Sequence, residues 1–163
     1  MEKELSWVGI LSEPARIWHS ELRRNRNANI DMRCVWSQSG ATVRFNEVTH
    51  GALSTINSFS SSDCYSGARE KGVRYDVETI SLNDLLSEYN APSHIDYLSI
   101  DTEGSECEIL KAVDFDKYSF SCITVEHNHT PMRDKIYSLL TENGYGRKYV
   151  EVSEVDDWYV KCD

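Results

Sequence analysis

The chain has 163 residues, with 27 Asp or Glu against 17 Lys or Arg, a formal net charge of −10, and 40% apolar content. That length suits one domain, and the apolar share supplies a single core without a metal or disulfide staple. The acidic balance argues against a protein that holds nucleic acid or an anionic membrane by bulk charge, because phosphate binding needs a positive field. Five scattered cysteines (Cys34, Cys64, Cys107, Cys122, Cys162) form no CxxC pair, which argues against a disulfide framework or zinc ribbon. No stretch of 18 apolar residues and no leader with a cleavage site is visible, so a cytoplasmic setting is expected.

Residues 1–163 read as one unit. The apolar run Trp7 to Leu11 predicts a strand that stops near Glu13, and Pro14 suits the first turn of a helix reaching about Asn27. Further strands are predicted at Met32 to Trp36, Thr42 to Asn46 and Val73 to Thr79, the last with strict apolar/polar alternation. The polar run Ser58 to Asp63 reads as an exposed loop. Ser81 stands three residues before Asp84 and predicts a capped helix carrying Leu82, Leu85, Leu86 and Tyr89.

From residue 95 the pattern is strand, loop, helix. Ile95 to Ile100 runs into Asp101-Thr-Glu-Gly-Ser-Glu106, and Ser105 with Glu108 has capping-box spacing for a helix to about Val113. Phe120 to Glu126 repeats the strand, Thr130-Pro131 opens a helix that Asn143-Gly144 stops, and Tyr145 to Val152 with Val155 to Cys162 predicts a hairpin turning at Ser153-Glu154. The order implies an α/β fold with a mostly parallel sheet and an antiparallel C-terminal hairpin. In such sheets ligands bind beyond the carboxyl ends of the strands, where Glu13, Asp101, Glu103, Glu126 and His127 all fall.

Asp101, Glu103 and Glu106 offer three carboxylates within six residues, able to coordinate a divalent cation or act as a general base. The competing reading makes Glu103 or Glu106 a cap on the following helix. Glu126-His127-Asn128-His129 offers an acid and base pair or metal ligands, but two histidines at i and i+2 make a poor zinc site. Glu13 stands where a doubly wound fold keeps its ribose-binding acid, or else serves as a helix cap. Neither GxGxxG, GxxxxGK nor GxSxG occurs.

WVGILSEPARIWHSELRRNR resembles the segment of FkbM-type methyltransferases in which a strand delivers a Glu-Pro and a helix leads to an Asn-Arg pair. SLNDLL followed by IDYLSIDTEGSECEILKA is similar to that family's Leu-Asp-Asp-Leu segment and its strand signature ending in an acid, a Glu-Gly and a second Glu. The resemblance implies a Rossmann-like class I methyltransferase fold using S-adenosylmethionine, with O-methylation of a small molecule or sugar hydroxyl. It implies that Glu13 holds the cofactor ribose, that Trp36 and Ser37 border the adenine, and that Asp101 and Glu103 face the methyl group and acceptor; Glu126 and His127, from their place at the next strand end, complete the expected catalytic set. A looser analogy with catechol-type O-methyltransferases would have Asp101 and Asn128 share a cation. Family members open with a strand and glycine-rich loop that have no counterpart here, so the chain is expected to be an N-terminally truncated domain whose exposed strand edges favour a homodimer. The alternative is a non-catalytic remnant or interaction domain of the same fold.

Overall fold

A computed structural model describes residues 2–162. The elements in chain order are α1 (Glu2–Leu5), β1 (Ile10–Ser12), α2 (Arg16–Asn25), β2 (Asn29–Asp31), β3 (Cys34–Trp36), β4 (Thr42–Glu47), β5 (Thr55–Ile56) and α3 (Ser66–Arg69). They continue with β6 (Val73–Ser81), α4 (Leu82–Glu88), β7 (His94–Ile100), α5 (Glu106–Lys111), β8 (Ser119–Glu126), α6 (Met132–Glu142), β9 (Tyr145–Lys148) and β10 (Asp156–Lys161).

The fold is mixed α/β, but its strands form three small sheets ordered β1-β2, β3-β6-β4-β5 and β7-β8-β10-β9. Parallel pairing is confined to β1 with β2, β3 with β6, and β7 with β8, while the other four pairings are antiparallel. The described strands thus form small mixed sheets, compatible with the expected α/β class. The physical reason lies in the connections: β4 and β5 are joined too briefly for a crossover, so they turn back on themselves.

The main core lies between the β7-β8-β10-β9 sheet and helices α4, α5 and α6. Phe120, Ile123 and Val125 of β8 are buried against Leu110, Ile136, Leu140 and Tyr159. Burying each such side chain contributes about 1.5–3 kcal/mol, so β8 is the most strongly anchored strand. β7 is different. Asp96 and Ser99 are exposed and Tyr97 is half-buried, and among the described residues β7 pairs only with β8.

β1 likewise pairs only with β2. Trp7, just before β1, meets Tyr97 with ring centroids 6.5 Å apart, and beyond the other end of β1 the charge of Asp101 acts on Glu13. The two strands thus run in the same direction with neighbouring ends, without pairing to each other.

Local chemistry explains several boundaries. Ser81 caps α4 as expected, its Oγ accepting the Asp84 N–H at 3.1 Å. α2 begins at Arg16, because Glu13 Oε1 accepts the Ala15 N–H at 2.7 Å and holds Pro14 and Ala15 outside the helix. The C-terminal strands pair as a hairpin, but its turn spans 149–155 instead of two residues: Tyr149 adopts φ 55° and its carbonyl accepts the N–H groups of Val152 and Ser153. Among the described residues no helix is long and apolar enough to cross a membrane.

Candidate functional site

Parallel pairing of β7 with β8 sets Ile100 opposite Val125, so Asp101 and Glu126 emerge side by side at the carboxyl ends. Their carboxyl groups lie within hydrogen-bonding reach of each other. One oxygen from each of Asp101, Glu103 and Glu126 falls within 4.8 Å of the other two. Asp101 is exposed, whereas Glu126 is only 7% exposed and its Oε2 is buried without a hydrogen-bond partner.

The turn carrying Glu103 is shaped by backbone that bulky residues avoid. Glu103 has φ 59° and Gly104 φ 119°, and a Cβ on Gly104 would stand 2.8 Å from Ser62 Oγ and 3.2 Å from Phe59 Cβ. Only glycine fits there. Glu106 Oε1 then accepts the N–H groups of Thr102 at 2.8 Å and Gly104 at 3.0 Å. This replaces the expected capping box, since Ser105 makes no side-chain cap and donates instead to Thr102 Oγ1 at 2.7 Å. Glu106 is thus the structural acid of the group.

Glu103 is 4% exposed and is held by Arg69, whose Nη2 donates to Oε2 at 2.6 Å, with Asn128 Nδ2 adding a second bond at 3.2 Å. Arg69 is fully buried, and its other donors go to Asp63 Oδ1 and the Leu53 carbonyl, both at 2.8 Å. Thr55 Oγ1 donates to the Glu103 carbonyl at 2.9 Å. Sequence reasoning missed Arg69, Asp63 and Thr55, which lie in a stretch without hydrophobic period. The run at 58–63 keeps Ser58, Ser61 and Ser62 exposed, as expected of a loop, but Phe59 and Ser62 also lie against the Glu103 turn and Asp63 is tied down by Arg69.

The electrostatics follow from this crowding. Burial pushes the Glu126 carboxyl up to about 9, with the charges of Asp101, Glu103 and Glu106 adding to the effect. Asp101 is raised as well, mainly because neighbouring groups desolvate its carboxyl even though the residue reaches solvent, and hydrogen bonding to Glu126 opposes the rise. At neutral pH the pair therefore keeps one shared proton, held chiefly by Glu126. Burial also raises Glu103, against the pull of Arg69, to about 7.

The other expected residues divide. Glu13 is half-buried at the end of β1, with one carboxylate oxygen given to Ala15; burial raises its pKa, and the charge of Asp101 adds to the rise. Trp36 meets Phe59 edge-on at 5.8 Å and so leans on the segment covering Gly104. Ser37 is half-buried one residue on.

His127 is apart from the carboxylates. Its Nδ1 accepts the His129 N–H at 3.0 Å, and its Nε2 lies 3.7 Å from Asp157, which is already bound by Arg133 and Arg147. One residue beyond Glu126 the chain faces the other side of the sheet. Burial lowers the His127 pKa. Asn128 does not join Asp101 as a ligand pair either, because its amide is turned to Glu103.

The family model for the methyltransferase FkbM domain matches residues 2–147. The chain belongs to the FkbM methyltransferase family. It is also 34% identical over 82 residues to methyltransferase sdnD of Sordaria araneosa, an alignment covering 45% of this chain and 32% of that protein. The FkbM chain thus spans about a third of the length of the curated relative it matches. No solved structure matches it.

Methyltransferases of this family imply S-adenosylmethionine, and the site fits that cofactor at one end. Glu13 Oε2 makes no hydrogen bond and can accept from a ribose hydroxyl. At the methionine end, no glycine-rich backbone cradle faces the site among the described residues; Gly104 is packed against Ser62 and Phe59.

Proposed function

We propose that the chain is an S-adenosylmethionine-dependent methyltransferase acting on a hydroxyl of a small molecule or sugar, in a cytoplasmic setting. The observation that carries the reading is the FkbM family match, which spans every element that supplies a strand-end acid. The architecture proposed is Rossmann-like, with β1 and β7 as same-direction strands whose ends face one ligand; the neighbouring positions of Glu13 and Asp101 support it.

In this reading Glu13 accepts the ribose hydroxyls, and Trp36 and Ser37 border the adenine. When bound, the cofactor supplies an electrophilic methyl group. Glu126 keeps its proton and donates it in a hydrogen bond to Asp101, which leaves Asp101 the anionic and accessible member of the pair. Asp101 would take the hydroxyl proton of the acceptor, and the cofactor would supply the methyl group to that oxygen, its sulfur keeping the electron pair of the broken carbon–sulfur bond. Glu103, fixed by Arg69, bounds the acceptor pocket, and His127 supports the turn at His129.

The packing of Gly104 against Ser62 and Phe59, away from any ligand, favours a second reading, a non-catalytic domain of the same fold. Calorimetry with S-adenosylmethionine and its demethylated product, together with transfer of labelled methyl to a panel of hydroxyl acceptors, separates the two. We expect binding weaker than about 1 µM, weakened further by Glu13→Gln, and transfer lost in Asp101→Asn. No binding at millimolar cofactor by a folded chain would overturn the methyltransferase reading.

A further inference from the structure

We infer that Asp101, Glu103 and Glu126 form a binding site for one hard divalent cation of the size of Ca2+ or Mn2+. The three carboxylates come from two strand ends and the intervening turn, and each retains an uncommitted oxygen. Apart from the proton it shares with Glu126, Asp101 has no donor on its carboxylate among the described residues, Glu103 gives only Oε2 to Arg69 and Asn128, and Glu126 Oε2 has no N–H or hydroxyl partner.

The Glu126 oxygen is the decisive observation. A carboxylate oxygen so deeply buried ordinarily finds a donor, since leaving it bare is costly. No N–H or hydroxyl group of the described residues reaches it, and the same carboxyl group sets an oxygen within 4.8 Å of one from each of two further carboxylates. A cation there would satisfy all three at once, and all-oxygen ligation selects a hard ion over Zn2+ or Cu2+.

Oxygens of one coordination shell stand up to about 5 Å apart around Ca2+ and about 4 Å around Mg2+, and a triad whose oxygens all lie within 4.8 Å of one another falls inside the larger shell. Exposed Asp101 gives the route of entry, and water would complete the coordination. Arg69 lies behind Glu103 and leaves a net negative site; it fixes one ligand without filling the space. The competing occupant of that space is a proton between Asp101 and Glu126.

The full chain, stripped with EDTA and dialysed, would be titrated with CaCl2 and with MnCl2 by calorimetry and by thermal unfolding, without cofactor. One saturable site per chain is expected, with a rise in Tm of about 5–10 °C at a hundredfold excess over Kd. Glu126→Gln keeps the shape and hydrogen bond but should weaken binding at least about tenfold, and Asp101→Asn, at an exposed position, should do the same if Glu126→Gln does not fold. Glu154→Gln, in the exposed hairpin turn, should leave binding unchanged. Absence of a saturable site in the folded chain, or equal affinity in the Glu126 or Asp101 variant, would overturn the assignment in favour of the shared proton. Neither result bears on cofactor binding, so the metal site and the methyltransferase reading can fail separately.

Discussion

Residue by residue, the acids of the site differ in what the sequence reveals. Asp101 and Glu126 were legible because each ends an apolar run, and a strand that stops at a carboxylate delivers it to the sheet edge. His127 was misplaced, because residue-to-residue alternation decides which face a side chain takes, and the strand's last residue could be located only by pairing. Arg69 left no trace, since a lone arginine in polar sequence looks solvated until the fold surrounds it. The raised acids have a consequence for stability. A carboxyl whose folded pKa stands above its unfolded value favours the native state while protonated, so stability is complete below about pH 4.5 and declines as pH rises toward 9. In EDTA, urea unfolding should show a loss of roughly 2–4 kcal/mol across that window, sharing with Asp101 taken into account. Glu126→Gln should flatten most of the slope; an unchanged slope would place the proton elsewhere.

At the scale of elements, the two serine-based helix starts that looked alike in sequence are built differently. Ser81 caps α4 directly, whereas Ser105 is bypassed because Glu106 reaches back to the N–H groups of Thr102 and Gly104. Ser81→Ala should cost about 1 kcal/mol. Glu106→Ala should cost more, about 2–3 kcal/mol, because it leaves several donors unpaired in a buried turn. Chemical denaturation of both variants tests the order, and a larger loss for Ser81→Ala would contradict it. Strands β7 and β8 and helices α4 and α6 were readable because period and cap agree with burial. The stretch 51–69 was not, because long-range bonds to Arg69 and Glu103 order it and no local propensity does.

For the whole molecule, the strand order carries the main departure from sequence expectation. Apolar content and alternation indicate α/β, yet they do not say that the parallel pairs are distributed over three small sheets. β1 and β7 each keep one side without a strand among the described residues, and apolar groups gather there: Val8 is 91% exposed, with Leu5 and Trp7 nearby in sequence. An unpaired edge flanked by apolar surface is a template for association. Light scattering at increasing concentration should show a dimer or larger species, despite the repulsion expected from a net charge of −10. A monomer at all concentrations would contradict this, the β7 edge then being guarded by exposed Asp96 and Ser99.

The edge-on contact of Trp36 with Phe59 gives the site an optical reporter. Four tryptophans are present, and Trp7, Trp18 and Trp158 stand elsewhere, before β1, on α2 and on β10. A chain with those three replaced by Phe would emit from Trp36 alone, and Phe59 links that indole to Gly104 and so to the turn bearing Glu103. Its emission maximum and quenching by iodide would then register any shift of the covering segment, letting occupancy of the acid cluster be followed in real time without a label.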